Sequence, residues 1–203
     1  MNGRVHTAIG VATGLTAGAV IPQIRPDDVL SLSELIAFAV AGSLIPDIDM
    51  NGTGKVKKTA TTAVALTAIV AAWIIRSGRT DIIKYFDVRT IAGGLLFIIC
   101  LVAGLITKHR TFTHSILGLA LFSVSIYLLF TPTDTIFFAL AMLMHQLFDM
   151  LNMTKVAWLY PMKGGAAAGF CKSDGFVAEM FGLIFTLLCG VLLYLYFTKG
   201  FIQ

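Results

Sequence analysis

Apolar residues occupy this chain in long continuous runs, not in a one-sided stripe or a strict alternation. Seven runs stand out, at residues 5–21, 35–46, 59–75, 90–107, 113–130, 135–151 and 178–198, and the charged residues collect in the gaps between them. A helix that is apolar all round is buried in a large core or in a bilayer. About 20 such residues are needed to cross roughly 30 Å of hydrocarbon as a helix, and most of these runs approach that length. Backbone polar groups in lipid must be satisfied within the chain, which leaves helices as the spanning element for runs of this length. The predicted fold class is therefore all-α, a polytopic transmembrane helical bundle of about seven spans. Run 35–46 is short. It either extends back through Glu34 and Ser31 or forms a re-entrant or tilted segment buried in protein, which would leave six spans.

No fixed-period repeat, low-complexity tract or long soluble insert interrupts the pattern, so residues 1–203 read as a single integral membrane domain. The first run follows Arg4 as a signal peptide would, but no small-residue cleavage site ends it, and a retained helix is expected. The longest gap, 152–177, carries Pro161 and a Gly/Ala stretch at 164–169 and is long enough to cover a site.

Composition agrees with the pattern. Of 203 residues, 57% are hydrophobic and 13% charged, with a mean hydropathy of +0.87; soluble domains carry about a quarter charged residues. A formal net charge of +4 raises nucleic acid as a partner, but the bases are scattered over short gaps and form no stripe, so nucleic acid is set aside. Membrane lipids are the expected surroundings. Cys100, Cys171 and Cys189 show no C-x-x-C pairing, and imply neither a disulfide framework nor a thiolate metal site.

Alternating seven spans places Arg4, Lys55, Lys57, Lys58, Lys108, Arg110, Lys155, Lys163 and Lys172 on one face, and Arg25, Arg76, Arg79, Lys84, Arg89 and Lys199 on the other. Nine basic residues against six favours the first face as cytoplasmic. The same threading gathers the chemistry there. His6 opens the first span, Asp47 and Asp49 follow the second, His109 and His114 straddle the start of the fifth, and His145 with Asp149 lies near the end of the sixth.

His145 and Asp149 are four residues apart, so on a helix they project from one face and can share an ion. An aspartate inside a span costs several kcal/mol unless it is paired. The plainer reading is a His/Asp hydrogen bond that staples two helices. The stretch Ile45-Pro46-Asp47-Ile48-Asp49 puts two carboxylates after a helix that Pro46 ends or kinks; taken alone they read as solvated turn residues. In His109-Arg110-Thr111-Phe112-Thr113-His114, Thr111 or Thr113 is a candidate N-cap, and Arg110 with the exposed amides suits a phosphate oxygen. A basic, capped loop obeying the positive-inside rule is the bland alternative.

Together, His6-Thr7, Gly42 with Pro46-Asp47-Ile48-Asp49, His109-Arg110 with Thr113-His114-Ser115, His145 with Asp149, and Tyr160-Pro161 resemble the YdjM-type family of inner-membrane metal-dependent hydrolases. The likeness is spread over residues 6 to 161. More distantly, the order His6, Asp47 or Asp49, His114, His145 and Asp149 is similar to the ligand order of the zinc-dependent phospholipase C and P1 nuclease group. No histidine follows His145, so the further ligands of a three-metal cluster have no counterpart. The resemblance implies a bacterial-type inner (plasma) membrane location and one or two divalent ions, zinc first, with manganese or iron as alternatives. His6, Asp47, Asp49, His114, His145 and Asp149 would hold them. It also implies hydrolysis of a phosphoester of a phospholipid or lipid-linked substrate, with Asp47 as ligand or general base, His109 as ligand or leaving-group acid, and Arg110 orienting the phosphate.

Two other classes stand beside the hydrolase. A metal or proton transporter usually places ionisable groups near the bilayer midplane, and residues 92–106, 115–129 and 180–197 hold no Asp, Glu, Lys, Arg or His. A non-catalytic membrane scaffold would use the His/Asp set as a structural site. Gly10, Gly14, Gly18, Ala37, Ala39, Ala41 and Gly42 predict close packing of the first two spans beside His6 and Asp47. The bulky last span is expected to face lipid or a partner chain. Met142, Met144, Met150 and Met153 are expected to pack around the site, while Asp174 and Glu179 are candidates for a missing carboxylate.

Overall fold

The computed structural model describes residues 3–49, 87–173 and 175–199, with isolated positions between 63 and 74; the side chain of Asp49 lies outside that description. Among the described residues, six helices have full bounds: α1 (Gly3–Val20), α2 (Val29–Leu44), α3 (Val88–Ile106), α4 (Ile116–Leu129), α5 (Pro132–Met150) and α6 (Phe176–Thr198). Short 3-10 turns at Pro22–Ile24, Ile45–Asp49 and Phe112–His114 join them. Most of the span expected at 59–75 lies outside the described residues; the described positions within it are helical. Among the described residues, three segments are long and apolar enough to cross a membrane: Val29–Ile48, Val88–Ile106 and Phe176–Thr198.

Where the helices begin follows from their caps. Asp28 accepts the amide of Ser31 at 2.6 Å while the Ser31 hydroxyl accepts the amide of Asp28 at 3.2 Å, a reciprocal cap that starts α2 at Val29. The amide bond holds the exposed Asp28 carboxyl below its ordinary pKa. The segment expected at 35–46 is thereby extended, and with its 3-10 turn it is long enough to cross the bilayer without a re-entrant path. The opposite correction applies to 113–130. Neither Thr111 nor Thr113 provides the side-chain cap; Ser115 does, accepting the amide of Gly118 at 3.0 Å. With Phe112–His114 wound into a 3-10 turn, α4 is left with 14 residues, about 21 Å at 1.5 Å per residue.

Helices α1, α2 and α5 form the centre. Helix α6 packs on α1, α4 packs on α5, and α3 lies outside α4. The central trio is tight because its facing positions are small. A Cβ on Gly42 would fall onto the Phe138 carbonyl oxygen of α5, and one on Gly10 would strike the Ser43 hydroxyl of α2 and come within 3.0 Å of Ala141. The expected close packing beside His6 and Asp47 is thus present, and a third helix shares it. Thr7, Thr13 and Thr16 of α1 return their hydroxyls to carbonyls one turn back, at 2.8 to 2.9 Å, so they add no unsatisfied groups to an apolar interior.

Outer helices present apolar side chains outward. Helix α6 is tied to α1 where the Tyr196 hydroxyl donates to Leu15 O at 3.0 Å, and it exposes Leu183, Leu187, Val191 and Tyr194 on its other side. Helix α3 meets α4 through the edge-to-face pair Phe97 and Phe122 and exposes Leu95, Ile98 and Ile99. Of the methionines expected around the site, Met142 is fully buried, whereas Met153 is exposed because it lies beyond the end of α5.

Gly42→Ala must move the backbone of α5 or α2, and is expected to cost about 1–3 kcal/mol or more. Gly94→Ala, with open space around its Cβ, is expected to be neutral or stabilising by up to about 1 kcal/mol. Thermal unfolding of the two variants in detergent checks this: equal melting temperatures would mean that α2 and α5 are not in backbone contact.

Candidate metal centre

The polar residues converge at one end of the central trio. His6 lies in the first turn of α1, Asp47 in the 3-10 turn after α2, His114 just before α4, and His145 and Asp149 in the last turns of α5. The turn from α-helix to 3-10 helix at Ile45 brings Asp47 inside: Ile45, Asp47 and Ile48 are all buried. The second 3-10 turn does the same for His114.

Asp47, His114, His145 and Asp149 each offer a ligand atom, these atoms lie within 4.8 Å of one another, and all four residues are buried. Asp149 is the hub. Its Oδ2 lies 3.3 Å from His114 Nε2, 3.1 Å from an Arg110 Nη2 and 4.0 Å from His145 Nε2. Its Oδ1 faces His6 Nε2 at 3.1 Å and accepts from Asn152 Nδ2 at 2.8 Å. The rings of His6 and His145 stack at 3.7 Å, and those of His114 and His145 meet at 5.2 Å.

His145 defines what the cluster can hold. Its Nδ1 lies 2.6 Å from the Ser43 carbonyl oxygen, which can only accept, so Nδ1 carries the proton. In the neutral ring Nε2 is then a bare lone pair. It points toward Asp47 Oδ1 at 3.6 Å and Asp149 Oδ2 at 4.0 Å, too far for a hydrogen bond, and it has no hydrogen-bond partner among the described residues. A lone pair and two carboxylate oxygens converging on one buried point is an arrangement a cation satisfies. Fixing the remote nitrogen of a ligating histidine on a backbone carbonyl is also the usual outer support of a metal site. The residues present therefore fit a divalent ion, and imidazole with carboxylate suits zinc, manganese or iron without choosing among them.

Of the residues singled out in the sequence, His6, Asp47, His114, His145 and Asp149 are brought together. His109 and Arg110 form the rim. The His109 ring lies 5.4 Å from that of His114, and Arg110, its side chain 10% exposed, shares its guanidinium between Asp149 and the carbonyl and hydroxyl of Thr154. The Asp49 side chain and Asp174 lie outside the described residues, and Glu179 is exposed in the first turn of α6, apart from the cluster. Thr113 serves the site instead of capping a helix: its hydroxyl lies 3.0 Å from His114 Nδ1.

Three supports were not foreseen. The Ser43 contribution is a backbone oxygen, which no residue type announces. Gln146, buried beside His145, donates to Thr113 O at 3.2 Å and to Ser115 O at 3.4 Å, tying α5 to the turn that holds His114. Asn152 follows Asp149 by three residues, one helical turn, and that spacing was a readable signal.

No curated protein and no solved structure matches the chain. A family match does exist, to the YdjM inner membrane protein family, and it runs over residues 1–201. With that match covering nearly the whole chain, and with three segments able to cross a bilayer, the protein is an integral inner membrane protein and belongs to the YdjM inner membrane protein family.

Proposed function

We propose that the protein is a membrane-bound metal-dependent hydrolase acting on a phosphoester of a lipid or lipid-linked substrate, within a bundle of about seven spans. The observation that carries this reading is the lone pair of His145 Nε2 directed at the Asp47 and Asp149 carboxylates. Asp47, His114, His145 and Asp149 would hold the ion, with His6 on the other oxygen of Asp149 and Asp49 as a further ligand. The two carboxylates are offset only in part by the single Arg110 guanidinium beside Asp149, and the negative charge that remains in a buried site favours a cation. The likeness of the ligand order to the zinc-dependent phospholipase C and P1 nuclease group supports the same chemistry.

When bound, a divalent ion supplies Lewis acidity: it brings the pKa of a coordinated water near 7 and stabilises charge on a phosphoryl oxygen. The chain supplies the rest. Asp47, at 7% the more exposed of the two carboxylates, is placed to accept a proton from an attacking water. His109, half-buried at the rim beside His114, is placed to protonate a leaving alkoxide. Arg110, held at the same rim by Asp149 and Thr154, would contribute its positive charge to orienting a phosphate. Asn152 and Ser43 position ligands without touching substrate.

Metal analysis by mass spectrometry on detergent-purified protein is expected to find a stoichiometric transition metal in the wild type and none in a folded His145→Ala, Asp149→Ala variant. No metal in the wild type, after supplementation with zinc, manganese and iron, would favour the scaffold reading. Asp47→Asn is expected to abolish release of phosphate or phosphoalcohol from a panel of lipid phosphoesters; full activity would end the hydrolase assignment. Asn152→Ala, which frees Asp149 Oδ1 on one side, is expected to weaken zinc binding by about 10–100-fold with the fold retained; unchanged affinity would show that Asn152 serves only the loop.

A further inference from the structure

Residues 152–173 follow α5 and leave the bundle, yet their backbone is held down. The amides of Ala168, Gly169 and Phe170 donate to the carbonyls of Met150, Asn152 and Leu151 at 2.7 to 3.2 Å, closing the open end of α5. Val156 and Ala166 exchange both amide bonds, at 2.9 and 3.0 Å, and Ala157 and Trp158 tie the segment to Arg110 O and Ile116 N. This is an ordered ledge beside the metal centre, and its anchors include Asn152 and Thr154, which also hold Asp149 and Arg110.

What the ledge presents outward contrasts with that well-satisfied backbone. Every residue from 161 to 170 is exposed. Met153, Leu159, Met162 and Phe170 are 63%, 64%, 69% and 80% exposed, and the chain enters α6 at Phe176, also 80% exposed. Lys155, Lys163 and Lys172 are exposed among them, against a single acidic residue in 152–177, Asp174. Large apolar side chains standing out from fixed backbone are poorly placed in water, and three ammonium groups are poorly placed in hydrocarbon. The headgroup layer accommodates both: apolar side chains enter the acyl boundary while lysines meet lipid phosphates.

We propose that the 152–173 ledge is an interfacial lipid-binding surface, seated in the anionic headgroup layer of the membrane its own helices cross. The partner is anionic phospholipid, recognised by the lysines through phosphate charge and by Leu159, Met162 and Phe170 through the acyl boundary. Because the ledge is bonded to the residues that hold Asp149 and Arg110, its seating puts the metal centre beside the headgroups. The lipid contact stands whether or not the site hydrolyses anything.

The test uses the full chain in nanodiscs, with Trp73→Phe and Trp158→Phe as background and Phe170→Trp as the reporter. Phe170→Trp emission is expected to be blue-shifted and quenched by lipids brominated in the acyl chain. Water-like emission without bromine quenching would overturn the proposal. Replacing phosphatidylcholine with a phosphatidylcholine and phosphatidylglycerol mixture is expected to deepen the quenching, and Lys155→Gln, Lys163→Gln, Lys172→Gln together to abolish that gain; quenching indifferent to both changes would overturn the anionic part. A Leu159→Trp reporter repeats the measurement should Phe170→Trp not fold. Each readout is independent of bound metal and turnover, so failure of the hydrolase reading leaves it standing, and the reverse.

Discussion

Two carboxylates buried in the interior of a membrane protein set the terms for everything around them. Taking charge out of water costs several kcal/mol per group even after relaxation, and apolar surroundings return none of it. The bundle answers with direction. Asp149 receives His6 and Asn152 on one oxygen and Arg110 and His114 on the other, and Asp47 is turned inward by a change of helix type. The stacked rings of His6 and His145 require α1 and α5 to approach closely, and that approach is what glycine at position 10 and alanine at 141 permit. Small residues in the trio and charge at its end are one requirement seen at two depths.

The same logic separates the helices into inner and outer classes. Helices α1 and α5, which carry the ligands, are less uniformly apolar than α3 and α6; Thr7, Thr13 and Gln146 donate to carbonyls of the protein, while His145 Nε2 is left to the metal centre. Outer helices contribute area, fitting the trio into lipid while leaving its chemistry alone. A site built this way sits on helix ends and turns backed by a closely packed centre.

Much of this was legible in the residues. Runs of apolar side chains announce helices in lipid, and the four-residue spacing of His145 and Asp149 puts both on one face whatever the rest of the fold does. Alternation of spans sufficed to place His6, Asp47 and His114 at the same end. Boundaries were less legible, because capping competes with hydropathy: Asp28 and Ser31 lengthen α2 through polar residues that a hydropathy reading discards, and Ser115 shortens α4 inside a run that it accepts. Ser43 was invisible for a deeper reason. A backbone carbonyl freed to accept from His145 is a property of three-dimensional packing, available to any residue at that position.

The shortness of α4 has a consequence for the lipid itself. Ile116, Leu117, Val124 and Tyr127 expose this helix on the outside of the bundle, yet its roughly 21 Å falls about 9 Å short of a typical hydrocarbon layer. Where such a helix crosses the bilayer, lipids alongside it would shorten or disorder their acyl chains to avoid wetting apolar surface, a mismatch costing fractions of a kcal/mol per Å. The start of α4 is the His114 end, so any thinning of the hydrocarbon beside this helix would reach the end where the ligands are. A polar headgroup would then have less hydrocarbon between it and the cluster.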